Sequence, residues 1–176
     1  MLFVFLYGVF VRILASDTSV NLFVIIIAES SLLKQLHREF CILLMGRGDC
    51  LLHFRRLSSR DKRRLEEYYK ERVSRFVKEF DDFSIYIIKK SFKQSKRHIL
   101  NIFGEKVREF KPDKIFLPTD FDNLIKNFNK DFIRIIRMKP IIDDASYPVQ
   151  VSDMLINLYR RIRNPTYFSR ANIYVI

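Results

Sequence analysis

IIDDASYPVQVSDMLINLYRRIR, residues 141–163, is the stretch on which the reading of this chain turns. Asp143 and Asp144 close an apolar run, and a short loop with Ser146 and Pro148 follows. The spacing then predicts an amphipathic helix over Val149–Arg163. Gln150 and Asp153 are three apart, so on a helix they share a face with Val149, Met154, Ile156 and Leu158 nearby. An Asp on the buried side of a helix is costly unless it is paired, protonated or bound to a metal. Arg160 and Lys139 are the structural partners the sequence offers it. Set beside the Asp143/Asp144 pair, Asp153 points toward a carboxylate metal site.

Working outward, Lys114–Leu117 reads as a strand closing at Pro118. Asp120 to Phe128 reads as a helix and Phe132–Met138 as a further strand. Strands alternating with helices imply parallel β-α-β units in this half. Asn172–Ile176 adds an edge strand. The first half differs. Leu2–Val11 and Val20–Ala28 are aromatic and β-branched runs that read as an antiparallel pair, with Ser16–Asp17–Thr18–Ser19 as the turn between them. A helix from Glu29–Ser30–Ser31 to about Phe40, a Gly-containing turn over Met45–Cys50 and a short extended piece over Leu51–Leu57 follow. Ser58 or Ser59 caps a long helix to about Phe80, with Asp61 in its first turn. Phe83–Lys89 is a strand and Ser95–Phe110 a helix. The expected class is α/β, a mixed sheet of antiparallel N-terminal and parallel C-terminal strands flanked by helices, in one domain spanning residues 1–176.

The chain has 176 residues, 48% of them hydrophobic, with 17 Phe and no Trp, enough for a sizeable core. Its net charge of +12 favours polyanionic partners, most directly nucleic acid. The same charge also reads as a solvated Lys/Arg surface, and so does the basic face of the long helix. The opening MLFVFLYGVFVRILAS passes for a signal peptide in length, but it lacks a basic leading region and carries Arg12 late; two buried strands describe it better. Arg12, Asp17 and Asn21 keep either apolar run too short to span a bilayer, so no membrane partner is expected. Cys41 and Cys50 lack metal-ligand spacing with His37, His53 or His98. Two thiols in a reduced, cytoplasmic setting are expected, with a disulfide unsupported by the spacing.

Asp120 follows its strand after only Pro118 and Thr119, and the carboxyl ends of parallel strands are where ligand sites gather. Asp120, one of Asp143/Asp144, and Asp153 converge at one edge if the two strands are neighbours. Such oxygen donors suit Mg²⁺ or Mn²⁺, and a pair of such ions would serve phosphodiester cleavage. Against this, Asp120 also reads as a helix cap and Asp143/Asp144 as turn residues. His53, Arg55 and Arg56 in LLHFRRL suit phosphate contact, although a His there is more often structural. No phosphate-loop, dinucleotide, nucleophile-elbow or zinc signature is present in the sequence.

Several segments in this order resemble one family. MLFVFL, LLHFRRLSSRDKRRLEEYY, SIYIIKKSFK and above all DDASYPVQVSDMLINLYRR are similar to the ribonuclease H-like proteins grouped as domain of unknown function 3800. Their closing segment carries an Asp-x-x-x-Ser … Gln-x-x-Asp pattern. The resemblance implies a ribonuclease H-like fold, an acidic Mg or Mn site and nucleic-acid chemistry. It implies metal-ligand roles for Asp120, for Asp143 or Asp144, and for Asp153, with Ser146 and Gln150 in support. One departure stands out. The family's first strand usually ends in Asp-Glu-Ser-Gly, whose Asp is the central ligand, whereas this chain reads Leu6-Tyr7-Gly8-Val9. Asp17 and Glu29 are the nearest alternatives in sequence, and Asp17, placed in the turn at the far end of the hairpin, is a poor substitute. The expectation is therefore a nucleic-acid-interacting protein, nuclease-like but degraded at its central carboxylate. The alternative is an active Mg/Mn-dependent nuclease with Asp120, Asp144 and Asp153 as its acids. Sequence leaves the oligomeric state open.

Overall fold

Among the described residues, six strands form one sheet in the order β5-β4-β1-β2-β3-β6. The computed structural model describes residues 10–19, 22–89, 96–121, 138–168 and 173–175. The strands are β1 (Arg12–Ser19), β2 (Leu22–Glu29), β3 (Ser84–Lys89), β4 (Lys114–Leu117), β5 (Ile141–Ile142) and β6 (Ile173–Val175). β1, β2 and β3 pair antiparallel, while β4 runs parallel to β1, β5 to β4 and β6 to β3. The expected mixed α/β sheet is therefore present, antiparallel first and parallel later.

Helices cover both faces. α1 (Ser30–Met45), α2 (Ser59–Tyr68) and α5 (Tyr147–Ile162) pack on one, and α4 (Lys96–Phe110) on the other. Period-two alternation makes this possible. On β2, Val24, Ile26 and Ala28 face α1 and α5, whereas Phe23, Ile25 and Ile27 face α4. A strand buried on both sides is apolar throughout, which is why β2 reads LFVIIIA. α2 begins at Ser58, whose hydroxyl accepts from the Asp61 N–H at 3.1 Å. It continues through a wide turn (Tyr69–Val73) into α3 (Ser74–Glu79), so the long helix expected from Ser58 to Phe80 is present with a local irregularity. α1 ends at Gly46, which takes the left-handed conformation (φ 71°) that glycine adopts without a Cβ penalty.

Three expectations are corrected. The first described strand is Arg12–Ser19, so Ser16–Asp17–Thr18–Ser19 lies inside a strand rather than in a turn; of the strand expected over Leu2–Val11, residues 2–9 lie outside the described residues. The hairpin is tighter than its polarity suggests, with Ser19 already paired to Leu22. Second, Leu51–Leu57 is extended only at its start and then tightens into a 3-10 turn over Phe54–Arg56. Third, a disulfide joins Cys41 to Cys50, with Cα atoms 5.6 Å apart; the turn at Gly46 brings together cysteines that spacing alone left unpaired. Nearly all of the expected strand over Phe132–Met138 and of the helix over Asp120–Phe128 lies outside the described residues. Among the described residues, no helix is long and apolar enough to cross a membrane.

Candidate carboxylate site

β1 carries Ile13, Ala15 and Asp17 on one face, the face covered by α5. The first two are buried apolar residues in the core beneath α1 and α5. Asp17 continues their row at the carboxyl end of the strand and stays partly exposed. The parallel register Ala15↔Phe116 brings Asp17 level with Pro118, so Asp120 lies just beyond on the neighbouring strand end. The register Leu117↔Ile142 likewise places Asp144 beside Thr119. Three parallel strands thus deliver Asp17, Asp120 and Asp144 to one sheet edge, and α5 lays Asp153 across them. A cleft of about 440 Å³ is lined by all four, together with His53, Arg55 and Arg56.

The carboxylates differ in what holds them. Asp153 accepts from the Phe54 N–H (2.8 Å) and from His53 Nδ1 (3.0 Å) on one oxygen, and from Asn157 Nδ2 (2.7 Å) on the other. The structural partners expected for it, Arg160 and Lys139, are not its partners: Arg160 donates instead to Ser19 Oγ at 2.8 Å. Asp144 takes the Thr119 N–H on one oxygen at 2.9 Å and the Thr119 hydroxyl on the other at 2.5 Å. Asp120 is exposed and has no hydrogen-bond or ion-pair partner among the described residues. Asp17 has its pKa pushed up to about 8, first by burial and then by the negative charge of Asp153. Asp120 and Asp144 add smaller pushes in the same direction, and the Thr18 backbone N–H opposes them. Four acids crowd one cleft, and among the described residues the one basic side chain within ion-pair distance of them is His53, 3.0 Å from Asp153.

Asp143 takes no part in this cleft. Its carboxylate accepts the Ala145 N–H at 2.9 Å and its carbonyl accepts from the Ser146 hydroxyl at 2.7 Å, so both residues shape the turn that presents Asp144. Gln150 is buried and links three segments: its Oε1 accepts from Leu52 N–H (2.6 Å) and lies 3.1 Å from His37 Nε2, while its Nε2 donates to the Ala145 carbonyl. Gln150 and Asp153 together clasp alternate amides of the segment that carries His53, Arg55 and Arg56. The disulfide ties the start of that same segment to α1.

Sequence reasoning misplaced Asp17 and passed over Asn157 and Thr119. The signal for Asn157 was there, since a residue four past Asp153 on a helix stands beside it. For Asp17 the available signal was the alternation Ile13, Ala15, Asp17. The donor chemistry, hard carboxylate oxygens on three strand ends and a helix, fits Mg²⁺ or Mn²⁺. Among the described residues no three His, Cys, Asp or Glu side chains close on one point tightly enough to grip an ion. A bound ion would therefore require side-chain rotation, for which Asp17 and Asp120 are the least committed of the four.

No family model matches the chain. No curated protein matches it by sequence. In three dimensions it aligns with a ribonuclease HII of Archaeoglobus fulgidus, solved in complex with PCNA, at 13% identity and a TM-score of 0.48, over 94% of this chain and 82% of that one. At that distance nothing about activity or partners transfers; what this chain itself presents is a mixed α/β sheet with four aspartates at one carboxyl edge.

Proposed function

We propose that the protein is a divalent-metal-dependent phosphodiester hydrolase acting on nucleic acid, with Asp17 as the central carboxylate and Asp120, Asp144 and Asp153 around it. The single observation that carries this reading is the position of Asp17 on β1, facing the acids of β4, of the loop after β5, and of α5. The reading of a degraded site rested on a first strand without a carboxylate, and β1 has one. The narrower kinship with domain of unknown function 3800 rests on the motifs quoted above. The sheet order, with a central β1 flanked by antiparallel β2 and parallel β4, is consistent with the ribonuclease H-like architecture that kinship implies.

Bound Mg²⁺ or Mn²⁺ would supply charge neutralisation at the phosphate and a water of lowered pKa. Asp17 and Asp120, with few protein donors, are the residues free to hold such an ion. Asp153 is oriented by His53, the Phe54 amide and Asn157, and Asp144 by Thr119, so their carboxylates are presented at set angles. Arg55 and Arg56 on the rim attract the polyanion that the acidic floor would repel. Leu51, Leu52 and Val149 give the wall an apolar component.

A second reading, a nucleic-acid-binding module without chemistry, is favoured by one observation: both oxygens of Asp144 and of Asp153 already serve hydrogen bonds within the protein. The test is Mn²⁺ titration followed by cleavage of labelled DNA and RNA, with Asp17→Asn and Asp153→Asn alongside wild type. Cleavage and saturable Mn²⁺ binding that both vanish in Asp17→Asn support the hydrolase. Salt-sensitive nucleic-acid binding unchanged by metal and by Asp17→Asn would replace it with the binding module.

A further inference from the structure

The rim of the cleft continues into a row of arginines with no ion pair or hydrogen bond among the described residues. Residues 55–64, RRLSSRDKRR, carry six cations against one acid. Two of the six are engaged: Lys62 Nζ lies 5.6 Å from the centre of the Phe54 ring, and Arg64 stands 3.5 Å from Asp61 while donating to the Leu43 carbonyl at 2.7 Å. The other four, Arg55, Arg56, Arg60 and Arg63, are exposed and have no ion pair or hydrogen bond among the described residues. Elsewhere Arg12 reaches Asp82 and the Phe110 carbonyl, Arg160 reaches Ser19 and Arg161 reaches Glu66, whereas Arg38, Arg47, Arg108 and Arg163 are exposed singly; the four near the cleft differ from these in being clustered and in adjoining its rim.

Arg60 and Arg63 are three apart on α2, so they share a face, and it is the face turned away from buried Leu65. Like charges at that spacing destabilise a helix, so the pair is not there for the stability of α2. Arg60 sits in the first turn, immediately after the segment that carries Arg55 and Arg56 on the cleft rim. Glu67, four residues past Arg63, is the next charge on that face and ends the row.

We infer that this row is a backbone track: a nucleic-acid strand with its reacting phosphodiester in the carboxylate cleft runs out over Arg55 and Arg56 and along α2 past Arg60 and Arg63. The substrate is then a polymer with about four phosphates along the track, two at the rim by Arg55 and Arg56 and two beyond it by Arg60 and Arg63, rather than a nucleotide or dinucleotide. The inference rests on the nucleic-acid reading above and deepens it. An acidic peptide is the competing occupant. The cleft favours nucleic acid, because its four aspartates would repel a chain of carboxylates that could not also bring a cation-bridged phosphodiester to them.

The test is fluorescence anisotropy with the full chain, without added divalent metal. Labelled oligonucleotides from a dinucleotide to about 12 nucleotides are titrated across a salt series. Wild type, an Arg60→Ala/Arg63→Ala double variant and the matching double Lys variant are compared. On the longest oligonucleotide the alanine variant should bind about tenfold more weakly, and its slope of log K against log salt should be shallower by about 1.4–1.8. The lysine variant should recover most of both effects, and the dinucleotide should show neither. An unchanged slope, or an equal loss on dinucleotide and long oligonucleotide, overturns the track. Equal competition by polyglutamate of matched charge also overturns it. Wild type that cleaves with Mn²⁺ but ignores Arg60 and Arg63 removes the track and leaves the hydrolase standing. Wild type that binds no nucleic acid at any salt removes both.

Discussion

The two ends of β1 both open on charged clefts, and they are built in opposite ways. At the amino end, Phe10, Arg12, Glu29, Asp82, Lys111 and Asp113 line a cleft in which acids and bases answer one another. Arg12 donates its backbone N–H to Asp113 at 2.7 Å and reaches Asp82 at 3.6 Å, while the Asp113 N–H returns a bond to the Arg12 carbonyl. At the carboxyl end, Asp17, Asp120, Asp144 and Asp153 face one another, and the arginines stay on the rim. The amino-end carboxylates close a sheet edge. Among the described residues the carboxyl-end carboxylates meet one basic side chain, the His53 imidazole 3.0 Å from Asp153, and their crowding costs stability that a bound cation would restore.

The sharpest way to break this contrast is to neutralise one acid at each end of β4. Asp120→Asn should lower Mn²⁺-dependent cleavage by about 10²- to 10³-fold, the scale seen when one charge-stabilising group is removed from a site. Asp113→Asn should leave turnover unchanged and cost at most about 1–2 kcal/mol of stability through its lost bond to the Arg12 amide. Equal activity losses in both would erase the distinction.

The next effect concerns the wall of the carboxyl-end cleft. The Cys41–Cys50 disulfide closes a short loop, and in the chain-entropy account its removal should cost about 3 kcal/mol. Urea unfolding of Cys41→Ser/Cys50→Ser against oxidised wild type measures that loss. Hydrogen exchange locates it: the Leu52 and Phe54 amides, held by Gln150 and Asp153, should exchange faster, and amides at the Arg12 end should not. A uniform acceleration over both ends would mean the disulfide serves the whole fold rather than this wall.

A further expected effect is on pH dependence. Folding raises the pKa of Asp17 from 3.8 to about 8, so the fold favours its protonated form. The stability this group contributes is complete below 3.8 and is lost as pH rises through about 8. Metal-free wild type should melt at lower temperature as pH rises through that window, Asp17→Asn should be flatter, and added Mn²⁺ should stabilise wild type most at the alkaline end. Parallel pH profiles for the two proteins would show that the four carboxylates do not crowd one another.

Much of this molecule was legible from sequence, and the failures share a cause. The apolar run of β2, the Ser58 cap, the strands Phe83–Lys89 and Lys114–Leu117 and the helix carrying Asp153 follow from local pattern, because burial on a regular element imposes a period. Asp17 was misplaced because a polar run between two apolar ones looks like a turn. Here Ser16 is fully buried and Asp17 and Thr18 line a cleft, so the polarity belongs to a site on a strand rather than to solvent. Asp143 and Asp144 looked equivalent as neighbours. The register of β5 on β4 separates them, turning Asp144 toward Thr119 and leaving Asp143 to shape its own loop.

By itself the sequence determined the α/β class, the mixed character of the sheet, the basic balance of the chain and the unusual place of Asp153 on an apolar helix face. These are properties of composition and of periods two to four residues long. Only the tertiary structure decided which carboxylates meet, because strands far apart in the chain are brought side by side by a register that no local pattern encodes. Asp17 and Asp120 lie on neighbouring parallel strand ends although more than a hundred residues separate them, and pairing across that gap turns a polar stretch of β1 into the floor of a cleft.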